Sequence, residues 1–112
     1  MSPTERTLKR LRTAGWLAEV VERHVPHTVI TQDLFGYADI LAVKPGHPTL
    51  AIQVTSAANF AAHCKKVKAS EAARICTQCG WTIEVHGWRQ LKGQPWSPMV
   101  VTFGPETWSE DE

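Results

Sequence analysis

Two apolar runs stand out along the chain, Tyr37 to Val43 (YADILAV) and Thr49 to Thr55 (TLAIQVT), separated by Lys44-Pro45-Gly46-His47-Pro48. The Pro and Gly content of the separator suits a turn, so the runs predict an antiparallel hairpin at the centre of a sheet. Upstream, Leu8, Leu11 and Ala14 recur at helical spacing and Gly15 is a natural stop, which predicts a helix over residues 4–14 with Thr4 as its N-cap. Trp16 to Arg23 (WLAEVVER) is rich in aromatic and β-branched residues and reads as a strand, with a continued helix as the competing reading. Pro26 and His27 break that element, and residues 28–31 form a short extended piece before the loop Gln32-Asp33-Leu34-Phe35-Gly36. Residues 57–76 hold seven alanines and neither Gly nor Pro, and Phe60, Cys64, Val67, Ala72 and Ile75 supply a buried stripe, so a single second helix is expected until Gly80. Trp81 to His86 alternates like a half-buried strand, Gly87 to Ser97 reads as a loop, and Met99 to Phe103 as a last short strand. The fold class is therefore α/β, a small mixed sheet flanked by helices.

Composition narrows the picture. A chain of 112 residues fits one domain, and 43% hydrophobic with 21% charged residues is ordinary for a packed core, which argues against disorder. The domain is expected over residues 1–105, followed by an acidic, flexible tail over 106–112. That tail holds four of the eleven acids, so residues 1–105 carry a balance of +5 behind a formal net charge of +1. The excess suits a polyanion such as DNA and is equally compatible with an ordinary solvated surface. Cys64, Cys76 and Cys79 are an odd count without a disulfide-framework spacing, as free thiols in a reducing compartment would be. The opening Met1-Ser2-Pro3-Thr4-Glu5-Arg6 lacks the apolar stretch of a signal peptide and no apolar segment is long enough to span a bilayer, so a cytoplasmic location with no membrane partner is expected.

Asp39 and Gln53 are the polar intrusions in the two central strands. Fourteen residues apart across a hairpin, they fall at the same level of adjacent strands and offer two oxygen ligands to a hard divalent cation such as magnesium. Such an ion activates a bound water and stabilises charge developing on a phosphodiester. Each residue also has a structural reading: Asp39 can pair within the sheet, and Gln53 can satisfy backbone groups. Lys65, Lys66 and Lys68 form either a nucleic-acid face or a solvated one. Trp88, Arg89, Lys92 and Trp96 mix aromatic and basic groups able to stack on bases and contact phosphates, or else the tryptophans pack on the sheet edge. Cys76-Thr77-Gln78-Cys79 has the spacing of half a zinc site, with Cys64, His63 and His86 as the only nearby completions and no second such pair.

The run Gly36-Tyr37-Ala38-Asp39-Ile40-Leu41-Ala42-Val43 resembles the "G-x-x-D-hydrophobic" strand of the PD-(D/E)XK nuclease-like superfamily, which includes Holliday junction resolvases and many restriction enzymes. Leu50-Ala51-Ile52-Gln53-Val54-Thr55-Ser56 resembles its "(D/E)-x-K-S" strand, in the "QVTS" form of small phage and prophage proteins. The resemblance covers roughly residues 4–87 and implies a restriction-endonuclease-like core in the order α-β-β-β-α-β. It makes Asp39 the first metal ligand, puts Gln53 in place of the usual acid and Thr55 where a Lys belongs. It also implies a Lys moved to the following helix, Lys65 or Lys66, and a further acid from Asp33 or Glu22, ahead of Glu5. The function so implied is that of a divergent, phage-derived, Mg2+- or Mn2+-dependent DNA endonuclease with weakened or lost catalysis, working as a homodimer. The alternatives are a non-catalytic nucleic-acid-binding or regulatory module, or a protein acting on a host or phage protein partner.

Overall fold

The computed structural model describes residues 1–111, with the side chains of residues 1–109. Helix α1 (Pro3–Thr13) starts one step earlier than predicted. Its cap is Ser2, whose hydroxyl accepts from the Glu5 amide while the Glu5 carboxylate accepts from the Ser2 amide, a reciprocal capping box ahead of Pro3 in the first turn. Glu5 is thereby committed to the helix end. At the other end Lys44 Nζ donates to the Ala14 carbonyl at 2.7 Å, supplying a cation to the negative pole of the helix.

Among the described residues seven strands follow: β1 (Leu17–Val20), β2 (Arg23–His24), β3 (Thr31–Gln32), β4 (Ile40–Val43), β5 (Leu50–Ser56), β6 (Thr82–Gln90) and β7 (Trp96–Phe103). The main sheet has the order β1-β4-β5-β6-β7. The β4–β5 hairpin sits at its centre, β5 and β6 run parallel, and all other pairs are antiparallel. The result is a mixed α/β sheet with helices on both faces. Strands β2 and β3 form a separate two-stranded ribbon. The stretch expected as one strand over residues 16–23 is therefore divided between β1 and β2.

Alternation along the strands sorts the core into two layers. Leu11 of α1 packs with Ala18, Ile40, Ala42, Leu50, Ile52 and Trp88 on one face. Ala51, Ile83 and Val85 pack on the other face with Val67 and Ala73. These last two come from α2 (Phe60–Lys68) and α3 (Glu71–Gln78), which replace the single helix expected over residues 57–76. Ser70 causes the division: its hydroxyl accepts from the Ala73 amide and caps a new helix, which propensity alone does not reveal. A 3-10 turn, Ala57–Asn59, leads into α2.

The loop expected from Gly87 to Ser97 is instead the body of a hairpin, in which Gly87 pairs with Met99 and Gln90 with Trp96. Gly87 belongs to the strand because a Cβ there would lie 2.5 Å from Cδ1 of Phe60, so its lack of a side chain lets α2 sit close. The segment expected to be a flexible tail also differs: Pro105–Asp111 winds into a 3-10 helix, with Trp108 buried against Phe103 and its indole donating to the Lys68 carbonyl at 2.9 Å. Glu112 lies outside the described residues. Among the described residues no helix is long and apolar enough to cross a membrane.

Candidate metal centre

The β4–β5 register pairs Ile40 with Ile52, so Asp39 and Gln53 stand opposite each other and share the face covered by α2 and α3. Gln53 Nε2 donates to Asp39 Oδ2 at 2.7 Å, and the Val54 amide donates to the same oxygen at 2.8 Å. Both residues are buried, at 6% and 3% exposure. Gln53 therefore presents its amide nitrogen to Asp39, while its Oε1 is buried without a partner.

The ribbon brings two further acids. Arg23 pairs with Gln32, so Glu22 and Asp33 flank the ribbon one step beyond its last pair, at the end nearest the sheet. The turn Leu34–Ala38, with Phe35 at φ 54° and Gly36 at φ 78°, returns the chain directly to Asp39. One carboxylate oxygen from each of Glu22, Asp33 and Asp39 lies within 4.8 Å of the others. Lys66 of α2 places Nζ 3.2 Å from Asp33 Oδ2. His63, one helical turn earlier on the same helix, has its Nδ1 buried without a partner.

Such crowding of acids has an electrostatic signature. Burial, followed by the hydrogen bond with Asp33 and the charges of Asp33 and Glu22, pushes Asp39 up to about 7, although the Val54 amide works the other way. Asp33 goes in the opposite direction: burial would raise it, but the hydrogen bond from Asp39 together with Lys66 holds it below the usual carboxylate value. The pair shares one proton, mostly on Asp39. Burial and then the Lys66 charge also lower His63, which favours its neutral ring.

The residues fit a divalent cation. Three carboxylates drawn from separate segments, with a buried unpartnered amide oxygen next to them, form the all-oxygen donor set that a hard ion prefers.

The other sequence-expected residues are scattered. Lys65 is exposed, and among the described contacts it is Lys66 whose ammonium meets the acids. Lys68 donates to the Thr107 carbonyl at 2.6 Å and lies over the Trp108 ring, which ties it to the C-terminal packing. Arg89 and Lys92 are exposed at the tip of the β6–β7 hairpin. Trp88 is not a stacking platform, because it is 7% exposed and its indole donates to Thr7 Oγ1 at 2.8 Å. Thr55 is buried on the face of Gln53. Cys64, Cys76 and Cys79 are free thiols, and among the described residues the acids alone make a metal-holding cluster. His63 entered the sequence reading only as a zinc ligand, yet its spacing of three from Lys66 was the signal that both share a helix face.

In comparisons with known proteins, no family model, no curated protein and no solved structure matches this chain.

Proposed function

We propose that the chain is a divergent PD-(D/E)XK nuclease-like protein that holds Mg2+ or Mn2+ in the acid pocket and hydrolyses phosphodiester bonds in DNA. The observation that carries this reading is the convergence of Glu22, Asp33 and Asp39 within 4.8 Å, with Lys66 at 3.2 Å from Asp33. The order α1, β1, β4, β5, α2, β6, into which the ribbon β2–β3 and helix α3 are inserted, lends support to that reading. A bound divalent cation supplies charge neutralisation at the phosphate and an activated water. The chain's own groups do the rest. Glu22, Asp33 and Asp39 hold the ion, the Gln53 amide and Val54 N–H orient Asp39, and Lys66 brings the positive charge that Thr55 lacks to the oxygens developing negative charge. Lys65, Arg89 and Lys92 provide exposed cations for the DNA backbone.

A second reading, a non-catalytic nucleic-acid-binding module on the same fold, draws support from Gln53, which is uncharged and spends its amide on Asp39. One experiment separates the two. Purified protein is incubated with duplex and branched DNA in Mg2+ or Mn2+, with chelator and Asp39→Asn as controls. Cleavage lost in both controls supports the nuclease. DNA binding without cleavage supports the module, and a calorimetric titration showing no cation uptake removes the metal site from both.

A further inference from the structure

On the sheet face opposite the acid pocket, two polar side chains interrupt an otherwise apolar layer. Glu84 and His86 alternate along β6 onto the α1 side, among Leu11, Ile52 and Trp88. His86 is 2% exposed, and its Nε2 lies 2.8 Å from Glu84 Oε1, while its Nδ1 is buried with no partner. The contact with His86 fixes the Glu84 carboxylate at the edge of the apolar layer, where its side chain stays 24% exposed.

A cleft of about 320 Å³ opens at this pair, between the C-terminal half of α1 and the sheet. Leu11, Leu50 and Trp16 form apolar walls, and Arg10, Glu84 and His86 are its polar groups. An adjoining pocket of about 180 Å³ shares Trp16, Leu50 and Glu84, so the two form one continuous depression with Trp16 at their junction.

We propose that this cleft binds a guanine nucleotide, with the base between the apolar walls and its phosphate at Arg10. The polar chemistry selects the base. The Glu84 carboxylate, held by His86 Nε2 at 2.8 Å and with its side chain 24% exposed, offers the cleft two acceptor oxygens side by side. A lining of acceptors needs a ligand edge of adjacent donors. Guanine presents N1–H beside its exocyclic amino group, whereas adenine and cytosine place a ring acceptor there. Trp16 offers a ring face to a planar base, and the Arg10 guanidinium suits a phosphate. The guanine can come from a free mononucleotide or from a nucleic-acid strand, and the chemistry of the cleft is the same for both.

The test is a titration of isotope-labelled protein by NMR, following the Trp16 indole and the Arg10 and His86 amides. Added GMP should shift these signals saturably, with AMP and CMP roughly tenfold weaker or worse, as expected where a polar edge must be matched. Glu84→Gln should weaken GMP binding by about tenfold, because it replaces an acceptor oxygen with a donor. Arg10→Gln, at an exposed position that leaves folding intact, should weaken GMP but leave guanosine unchanged. Short single strands containing guanine that compete with GMP would identify a nucleic-acid guanine as the ligand; failure to compete would identify the free nucleotide. Equal responses to GMP and AMP, or no saturable shift at millimolar GMP, would overturn the proposal.

Discussion

The two faces of the sheet each gather polar side chains around one buried polar group, Asp39 on one and His86 on the other, and they do so in contrasting ways. On the α2–α3 face, Glu22, Asp33, Asp39 and Lys66 come from four places in the chain and are tied together by charge. On the α1 face, Glu84 and His86 come from one strand, two residues apart, and stand in an apolar surround. In the first arrangement three acids meet, and burial, reinforced by Asp33 and Glu22, keeps a proton on Asp39 up to about pH 7. The second leaves one carboxylate, Glu84, partly exposed beside apolar walls. A cluster of carboxylates suits a cation, whereas a partly exposed carboxylate beside apolar walls suits an organic ligand with adjacent donors. The contrast therefore separates two kinds of site on one small domain.

The largest expected effect belongs to the charged face. Asp39→Asn keeps the shape and still accepts from the Val54 amide, but it removes the shared ligand. Cation-dependent DNA cleavage should fall by ~10³-fold, equivalent to about 4 kcal/mol of charge stabilisation. Lys66→Gln should cost roughly 10²-fold in kcat, as for loss of one group aimed at developing charge, with cation uptake retained or improved. If single-turnover rates for Lys66→Gln match wild type, the ammonium is structural and the charge asymmetry between the faces loses its catalytic meaning.

A second consequence is a pH dependence of stability. In the unfolded chain Asp39 titrates near 3.8, and in the folded protein near 7. Between those values the folded state holds a proton that the unfolded state has released. The stability from Asp39 is thus fully present below 3.8, declines as the pH rises, and is gone above about 7. Asp33, held below 3.8, acts in the opposite sense and only on the acid side of that value. Metal-free protein should therefore melt at a lower temperature at about pH 8 than at about pH 5, and Asp39→Asn should flatten this slope. Added Mg2+ should restore the wild type at the higher pH and leave Asp39→Asn unmoved. A wild-type profile that is flat over that window would mean that the acids are not electrostatically strained.

The central hairpin was legible because β5 is buried on both faces, β4 is an apolar run beside it and a Pro-Gly turn bounds them, and its spacing placed Asp39 opposite Gln53. The rest of the acid pocket was less so. Glu22 and Asp33 meet through a ribbon with only two residues in each strand, too short for a periodic signal. What Lys66 contacts depends on how α2 sits against the sheet, which is governed partly by Phe60 on Gly87. Gly87 itself reads as a breaker, and that cost the sequence reading half of the β6–β7 hairpin. The acidic C-terminal composition likewise hid Trp108, whose burial outweighs its charged neighbours.

The smallest expected effect concerns Trp88, whose aromatic character among Arg89 and Lys92 suggests a stacking role that its burial denies. Trp88→Phe keeps a planar apolar ring in the α1 layer but leaves Thr7 Oγ1, in a fully buried residue, without its donor. Losing one neutral hydrogen bond and some packing should cost about 1 kcal/mol, a drop of roughly 4–8 °C in Tm for a domain of this size. A residue that stacks on DNA would behave in the reverse way, because Phe can still stack and its exchange would leave stability alone. DNA affinity should therefore be unchanged within error while the melting temperature falls. If affinity falls and stability does not, Trp88 reaches solvent in the working state and the α1 face takes part in DNA binding, which would erase the division of labour between the two faces.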